Sequence, residues 1–227
     1  MKGKFVVSLL PAILFYISSC QKHMGDVTLN NEHDSVSYII GFNIGTNIAS
    51  SPMTDANIQA IAKGIQDAMD GKDLFIDQYS ANAYIGAYMQ KMESVSSEKN
   101  LAEGREFLEK NKVRKGVTTT ESGLQYEVLV EGDGPRPTDT DTVTVHYKGS
   151  LIDGTVFESS VERGEPATFA INQVIPGWTE VLKLMPVGSK WKVYLPTELA
   201  YGANPRQGGK IQPNMALIFE IELLGIE

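Results

Sequence analysis

Three short segments in the C-terminal half of the chain, residues 143–149, 174–178 and 200–202, contain side chains that fit one kind of site. These side chains are aromatic or branched and apolar: Tyr147, Val174, Ile175, Trp178 and Tyr201. The segments lack the residue patterns of a covalent nucleophile, a metal site or a phosphate-binding loop. We therefore expect a site that holds an apolar stretch of polypeptide, with proline as the residue it recognises, and with neither a metal nor a cofactor.

Each aromatic residue taken alone would more often belong to a core than to a site. Trp191 lies outside the three segments and is predicted to be core. His146 is next to Tyr147 on a predicted strand, so its side chain points to the opposite face. The chain has 3 histidines, and they are scattered. We therefore predict no metal cluster and no catalytic triad.

The segments belong to a half of the chain in which apolar and polar residues alternate. This alternation predicts strands around residues 124–130, 143–147, 169–171, 191–195 and 217–223. Helical spacing returns only for a short stretch that begins at Trp178 and ends at Met185. One short helix among several antiparallel strands predicts an α+β domain, in which the helix covers the apolar face of a twisted sheet.

The N-terminal half has apolar residues at helical spacing instead. A first helix is predicted after a cap at Asp34 or Ser35, and it should end before Pro52. A second helix is predicted after a cap at Thr54, and it should end at Gly71.

A third helix is predicted from about Asp77 to Gly116, and it would be roughly 38 residues or about 57 Å long. Two short helices cannot cover the apolar stripe of so long a helix, because the three together form only a thin core. We therefore expect the chain to form a homodimer. The alternative is a small monomeric bundle whose third helix is broken near residues 94–97.

Residues 1–19 have the pattern of an export signal, because Lys2 and Lys4 precede an apolar run that is too short to span a bilayer comfortably. The only cysteine, Cys20, follows directly, and residues 17–20 resemble the bacterial lipobox, in which the cysteine is lipidated. The alternative is an ordinary signal with a chance cysteine nearby. We expect an exported lipoprotein of the cell envelope, anchored through Cys20 to the outer membrane and facing the periplasm or the surface.

The charge of the chain restricts its partners. The formal charge of −8 becomes −10 once Lys2 and Lys4 are removed with the signal. The sequence has no basic stripe with interleaved aromatic residues. Nucleic acid and anionic lipid surfaces are therefore poor candidates as partners.

Residues 118–227 resemble the FK506-binding protein family of peptidyl-prolyl isomerases, through the His-Tyr, Phe-Glu-Ser-Ser, Val-Ile-Pro-Gly-Trp and Ala-Tyr-Gly motifs in the family's order. Residues 37–41 and 64–68 resemble the N-terminal dimerisation region of the macrophage infectivity potentiator type. The resemblance implies a half-wrapped antiparallel sheet around one short helix, preceded by an α-helical dimerisation domain with a long connecting helix. The implied segments are a signal at 1–19, a tether at 20–33, the dimerisation domain at 34–93, a linker at 94–117 and the isomerase domain at 118–227.

The resemblance also implies a proline pocket between the short helix and the sheet. Trp178 would form its floor, while the Ile175 amide and the Tyr201 hydroxyl would hold carbonyl groups of the substrate. The implied catalytic residues are Tyr147, Phe157, Glu158, Ile175, Trp178, Tyr201 and Phe219, and the implied substrate-binding residues are Val174, Ile211 and Ala167.

The sequence departs from the family's pattern in four places. Val181 replaces the usual small residue of the helix, and the loop at 204–210 is glycine-rich and polar where some relatives have an apolar lip. The other two departures are residues of the implied site. Glu158 stands where aspartate is common, and Ala167 stands where some relatives have an aromatic wall. The implied function is isomerisation of prolyl bonds during the folding of exported proteins, with proline-containing unfolded chains as partners and affinity for macrolide inhibitors. The alternative is a holdase with weak isomerase activity, which the Glu158 substitution motivates. An adhesion or host-interaction lipoprotein is a third class.

Overall fold

The computed structural model describes residues 27–49, 51, 53, 55–206 and 208–227. The predicted export signal, Cys20, Pro52 and the predicted cap Thr54 lie outside these residues. The chain divides into two units between Phe42 and Asn43, within the first helix. In the part of the chain that is described, no helix is long and apolar enough to cross a membrane.

Three helices form the N-terminal half: α1 (Glu32–Ala49), α2 (Ile58–Met69) and α3 (Gln78–Asn111). The predicted cap of α1 at Asp34 or Ser35 is wrong, because the helix begins earlier, at Glu32. The side-chain oxygen of Asn31 accepts a hydrogen bond of 2.9 Å from the Asp34 amide. Asn31 thereby satisfies one of the free amides at the start of the helix, which is the function of an N-cap.

The caps of α2 and α3 are set by local sequence. Asn57 caps α2 by accepting from the Ala60 amide, and the predicted stop at Gly71 has a φ of +70°. Asp77 caps α3 as predicted. Helix α3 runs for 34 residues without a break near residues 94–97, and it ends at Asn111, earlier than expected.

Seven antiparallel strands form the sheet of the C-terminal half: β1 (Val117–Thr119), β2 (Gln125–Val130), β3 (Thr142–Leu151), β4 (Val156–Ser159), β5 (Ala167–Ala170), β6 (Lys190–Leu195) and β7 (Leu217–Ile226). Their order is β1-β2-β6-β7-β3-β4, and β5 also pairs with β3. Ile171 does not continue β5 as expected, because the chain turns into a short 3₁₀ helix there. The predicted α+β class is confirmed.

Two short helices, α4 (Ser160–Arg163) and α5 (Pro176–Leu184), connect strands of this sheet. Helix α5 turns its apolar side toward the sheet, and its buried residues are Trp178, Val181 and Leu182, followed by Met185 just beyond its end. Gly177 permits this close approach, because a Cβ there would lie 2.5 Å from Leu195 Cδ2. The core of the domain therefore lies between α5 and the inner face of the sheet.

The outer face of the same sheet is covered by the C-terminal part of α3. Leu108 of α3 packs there with Tyr194 and Ala216. Asn111 Nδ2 donates to Gln125 Oε1 at 2.8 Å, and Gln125 Nε2 donates to the Leu108 carbonyl at 3.0 Å. These buried bonds join the last turn of α3 to strand β2.

Replacing Asn111 by alanine should lower the free energy of unfolding by about 1–3 kcal/mol, because the buried Gln125 amide would lose a partner. The control is Lys110→Ala, which removes an exposed ion pair with Glu106 on the same turn and should change stability little. Chemical denaturation of both variants measures the difference. Equal effects of the two substitutions would contradict the importance of this contact.

Candidate aromatic site

Trp178 lies at the centre of a group of aromatic rings on the inner face of the sheet. Its side chain is buried, and its ring centroid lies 5.2 Å from Tyr147, 5.6 Å from Phe169 and 5.4 Å from Phe219. The interplanar angles are 87°, 86° and 84° respectively. Edge-to-face contacts of this kind are favourable beyond the area they bury, so three rings fix the orientation of the indole.

Phe157 extends this group along β4. Its ring meets Phe219 edge to face, with centroids 5.6 Å apart. Gly149 on β3 makes room for both rings, because a Cβ there would lie 2.5 Å from Phe157 Cε2 and 3.0 Å from Phe219 Cε1. A glycine in the middle of a strand weakens it, and here the absent side chain admits two aromatic rings.

The remaining apolar residues of the predicted site surround the rings and are partly buried. They are Val174, Ile175, Ile211 and Ala167. Ile175 precedes α5 as its N-cap residue. Within the described part of the chain, its backbone N–H donates to no protein acceptor. The Ile175 amide is therefore a donor beside an apolar surface.

A charged group lies on the exposed side of Tyr147. Arg163 Nη1 donates to Glu158 Oε1 at 3.1 Å, and the guanidinium carbon lies 5.8 Å from the centroid of the Tyr147 ring. Burial raises the pKa of the Tyr147 phenol, the Glu158 carboxylate raises it further, and Arg163 lowers it. The phenol therefore remains protonated at neutral pH and can donate a hydrogen bond.

Tyr201 follows a 3₁₀ helix at Thr197–Leu199 and is partly exposed. Burial raises the pKa of its phenol, and the negative charge of Glu158 raises it further. The Glu158 carboxylate thus raises the pKa of both phenols. The site thus combines buried rings with a polar rim.

Ser160 fixes the backbone of Tyr147. Its buried hydroxyl accepts from the Tyr147 amide at 2.8 Å, lies 3.2 Å from the Tyr147 carbonyl oxygen, and lies 3.1 Å from His146 Nδ1. His146 therefore supports the strand from the face opposite Tyr147, as predicted. Ser159 caps α4 by accepting from the Glu162 amide, and this short helix brings Arg163 back to Glu158.

The predicted site residues thus fall into three groups. Tyr147, Phe157, Trp178 and Phe219 belong to one connected set of ring contacts. Val174, Ile175, Ile211 and Ala167 pack around the same core, and Tyr201 and Glu158 lie at the exposed rim. The predicted lipidation site, Cys20, lies outside the described residues.

Two residues of the site were missed from the sequence. Phe169 contacts both Trp178 and Tyr147, and its position two residues after Ala167 on β5 could have placed both on one face. Arg163 is the last residue of α4 and lies five positions after Glu158, a spacing that no simple rule relates to an ion pair. Trp191 is buried core as predicted, stacked on Tyr126 with centroids 4.4 Å apart.

The rings and the apolar residues around them can contact an apolar group, and the Ile175 amide beside them can donate to a carbonyl oxygen. The described residues contain no group of three His, Cys, Asp or Glu side chains that could hold a metal ion.

Comparison with known proteins identifies the family. Residues 134–224 match the family model described as FKBP-type peptidyl-prolyl cis-trans isomerase, and residues 33–128 match the model described as the domain amino terminal to it. The match of the second model includes α2, α3 and all of α1 except its first residue, Glu32. Each half of the chain therefore matches a family model, and the description of the second model places its domain before the isomerase domain.

Several relatives match almost over their full length. Outer membrane protein MIP of Legionella longbeachae is 40% identical, with 100% of this chain and 99% of the relative covered. The FKBP-type 22 kDa peptidyl-prolyl cis-trans isomerase of Escherichia coli K12 is 44% identical, with 88% and 98% covered. The crystal structure of FkpA from Escherichia coli superposes with a TM-score of 0.68 at 36% identity, with 88% of this chain and 99% of that chain covered. The chain therefore belongs to the FKBP-type peptidyl-prolyl cis-trans isomerases and is an enzyme of that class.

Proposed function

We propose that the ring group around Trp178 is the isomerase site, and that it acts on proline-containing segments of exported, partly folded proteins. The contact of Trp178 with three rings carries this proposal, because it presents an indole in one fixed orientation among apolar walls. A proline ring is apolar, compact and rigid. The pocket therefore suits it in shape and in polarity.

Isomerisation requires rotation about a bond with partial double-bond character, with a barrier of about 18–20 kcal/mol. A prolyl bond has cis and trans forms of similar free energy, so a catalyst needs only to favour the twisted amide over both planar forms. The twisted amide has lost resonance and its charge separation is smaller. The twisted amide therefore loses less hydration free energy than the planar forms when it moves from water into the apolar pocket.

The polar groups at the rim would orient the chain on either side of the rotating bond. The Ile175 amide has no protein acceptor within the described residues, and the phenol of Tyr201 remains protonated because its pKa is raised. Both can donate to carbonyl oxygens of the substrate. The rotation itself breaks no covalent bond, so the site needs no nucleophile for this reaction.

Glu158 would tune the polarity near the rotating carbonyl, and its contact with Arg163 limits the freedom of its longer side chain. Because that ion pair is half-exposed on both sides, its contribution to stability is small.

Ala167 leaves one side of the pocket without an aromatic wall. Macrolide inhibitors, which are bulkier than proline, would bind against the same rings on this more open side.

We infer the location from the sequence pattern and from similarity. We assign the mature protein to the cell envelope, with a lipid at Cys20, because one relative of similar length is an outer membrane protein by name. A diacyl anchor contributes about 0.8 kcal/mol for each buried methylene. The clients would be unfolded chains that have crossed the inner membrane.

The helical half supports a homodimer. Helices α1 and α2 bury none of their residues, and most of α3 is exposed as well. Ile39 and Ile40 are each 56% exposed, and Tyr84 is 71% exposed. Apolar surface of this extent is rare on monomers, and a second copy of the helical half would cover it. We assign residues 34–93 to this dimerisation domain, 94–117 to the linker and 118–227 to the isomerase domain.

Replacing Trp178 by phenylalanine should lower kcat/KM on a prolyl tetrapeptide on the order of tenfold, because the pocket loses its floor. Trp191→Phe is a matched control, since each indole is 4% exposed and each buried Nε1 has no hydrogen-bond partner among the described residues. Both variants should lose similar stability. Equal isomerase activity in the two folded variants would remove Trp178 from the site.

Replacing Gly149 by alanine should displace the Phe157 ring and lower kcat/KM several-fold, because the new methyl group would overlap the ring. Gly225→Ala is the control, since a Cβ at that strand position meets nothing within 4 Å. The same peptide assay measures both, and circular dichroism checks that each is folded. Wild-type activity of Gly149→Ala would show that the position of Phe157 does not matter for turnover.

Analytical ultracentrifugation of the protein lacking residues 1–20 should give a mass twice that of a single chain, as expected for a dimer. Replacing Ile39 and Ile40 together by glutamate should shift it toward the monomer, because charges would be buried without partners. Ser37→Glu adds a charge to the exposed surface of the same helix and should leave the dimer intact. A monomeric parent protein would contradict the proposed dimer.

A further inference from the structure

Two loops of the site are joined at Asn214. The Asn214 amide donates to the Gly202 carbonyl at 2.9 Å, and Gly202 directly follows Tyr201. Asn214 also lies three residues after Ile211, in the loop that leads into β7. One hydrogen bond therefore connects the segment that carries Tyr201 with the segment that carries Ile211.

The backbone of Asn214 has an unusual conformation. Its φ is +60°, and among the described residues it is the one non-glycine residue with a positive φ. Asparagine tolerates this region better than most residues, yet it is still less favourable than an ordinary turn conformation. The loop conformation therefore depends on contacts outside the loop.

Helix α3 supplies these contacts. Asn214 Nδ2 donates to Ser97 Oγ at 2.7 Å, and Asn100 Nδ2 donates to the Pro213 carbonyl at 2.9 Å. Both bonds are partly buried and join residues more than a hundred positions apart. They connect two consecutive residues of the loop, Pro213 and Asn214, to two residues that are three positions apart on one helix.

The next turns of α3 hold the helix close to the same segment. A Cβ at Gly104 would lie 3.0 Å from Ala216 Cβ, so the two backbones approach closely. Ser97, Asn100 and Gly104 are spaced by three and four residues, which places them on one face of the helix. Beyond them, Asn111 is bonded to Gln125 on β2. The helix is thus attached to the domain at both ends of this face.

We propose that Ser97 and Asn100 are positioning residues of the isomerase. Ser97 acts through Asn214 and Asn100 through Pro213, and together they hold Ile211 and Tyr201 beside the proline pocket. This inference rests on the proposed site. It makes α3 more than a spacer between the helical half and the isomerase half, because the geometry of the pocket depends on a hydroxyl and an amide that the helix contributes. The same bonds would transmit any displacement of α3 relative to the sheet to both loops.

The test compares Ser97→Ala with Ser94→Ala. Both remove a hydroxyl from the same helix and change its intrinsic helix propensity equally, while Ser94 is exposed. Well below the melting temperature, Ser97→Ala should lower kcat/KM about threefold to tenfold, as expected for the loss of one supporting hydrogen bond. Ser94→Ala should match wild type, and Ser97→Thr, which keeps the hydroxyl, should recover most of the activity.

A double-mutant cycle tests the route through Asn214. Asn214→Gly retains a residue that accepts the positive φ but removes the side chain that reaches Ser97. The double variant Ser97→Ala with Asn214→Gly should then be no less active than the worse single variant, because both remove the same bond. Additive losses, or a folded Ser97→Ala protein with wild-type kcat/KM, would overturn the proposal.

Amide hydrogen exchange separates this proposal from the assignment of the site. Ser97→Ala should accelerate exchange at the Asn214 amide, which bonds to Gly202, whereas Ser94→Ala should not. If Trp178→Phe has full activity while this exchange is accelerated, the site assignment fails but the link between α3 and the two loops stands. If exchange is unchanged by Ser97→Ala, the link itself is absent.

Discussion

The packing of Trp178 is the interaction on which the catalytic half of the protein depends. A short helix can cover a twisted sheet only if its large side chains fit between the side chains of the strands. Here the indole fits among rings from three strands, and Gly177 beside it lets the helix approach Leu195. The same contacts that stabilise the core therefore create the apolar surface that a proline ring can occupy, and fold and site cannot be altered separately.

The polar groups of the site are placed where water still reaches them. Glu158 and Arg163 pair at the rim. Burial and the negative charge of Glu158 both raise the pKa of the Tyr147 and Tyr201 phenols, so both phenols stay neutral. A charge inside the ring group would be costly without a partner. This separation keeps the ring group apolar, and in the proposed site it would still leave donors for the backbone on either side of the twisted amide.

Helix α3 connects the two halves of the chain and is packed in two different ways. Its N-terminal part is largely exposed, whereas its C-terminal part is joined to the sheet by Leu108, Asn111 and the contacts around Gly104. The loop before β7 lies against this fixed part. Because that loop carries Ile211 on one side and bonds to Gly202 on the other, the helix would be part of the framework of the proposed site.

Local sequence patterns were sufficient for the class of fold, for most of the elements and for four of the five rings in the group, all except Phe169. Period-two and helical spacing, the caps at Asp77 and Gly71, and the motifs around Tyr147, Trp178 and Tyr201 each report a local preference that packing did not override. The cap of α1 was misplaced at Asp34 or Ser35, because several polar residues in succession can serve as a cap. Only the hydrogen bond that the Asn31 side chain accepts from the Asp34 amide distinguishes them.

The remaining features required the tertiary structure, because they join residues that are distant in sequence. Nothing local to Ser97 relates it to Asn214, which is 117 positions away, and nothing local to Asn100 relates it to Pro213, which is 113 positions away. The serines near residue 94 suggested a break in α3, yet the helix continues and Ser97 uses its hydroxyl to bind a loop. The sequence alone thus determined which residues could form a proline pocket, and the docking of α3 and α5 on opposite faces of one sheet decided how those residues are held.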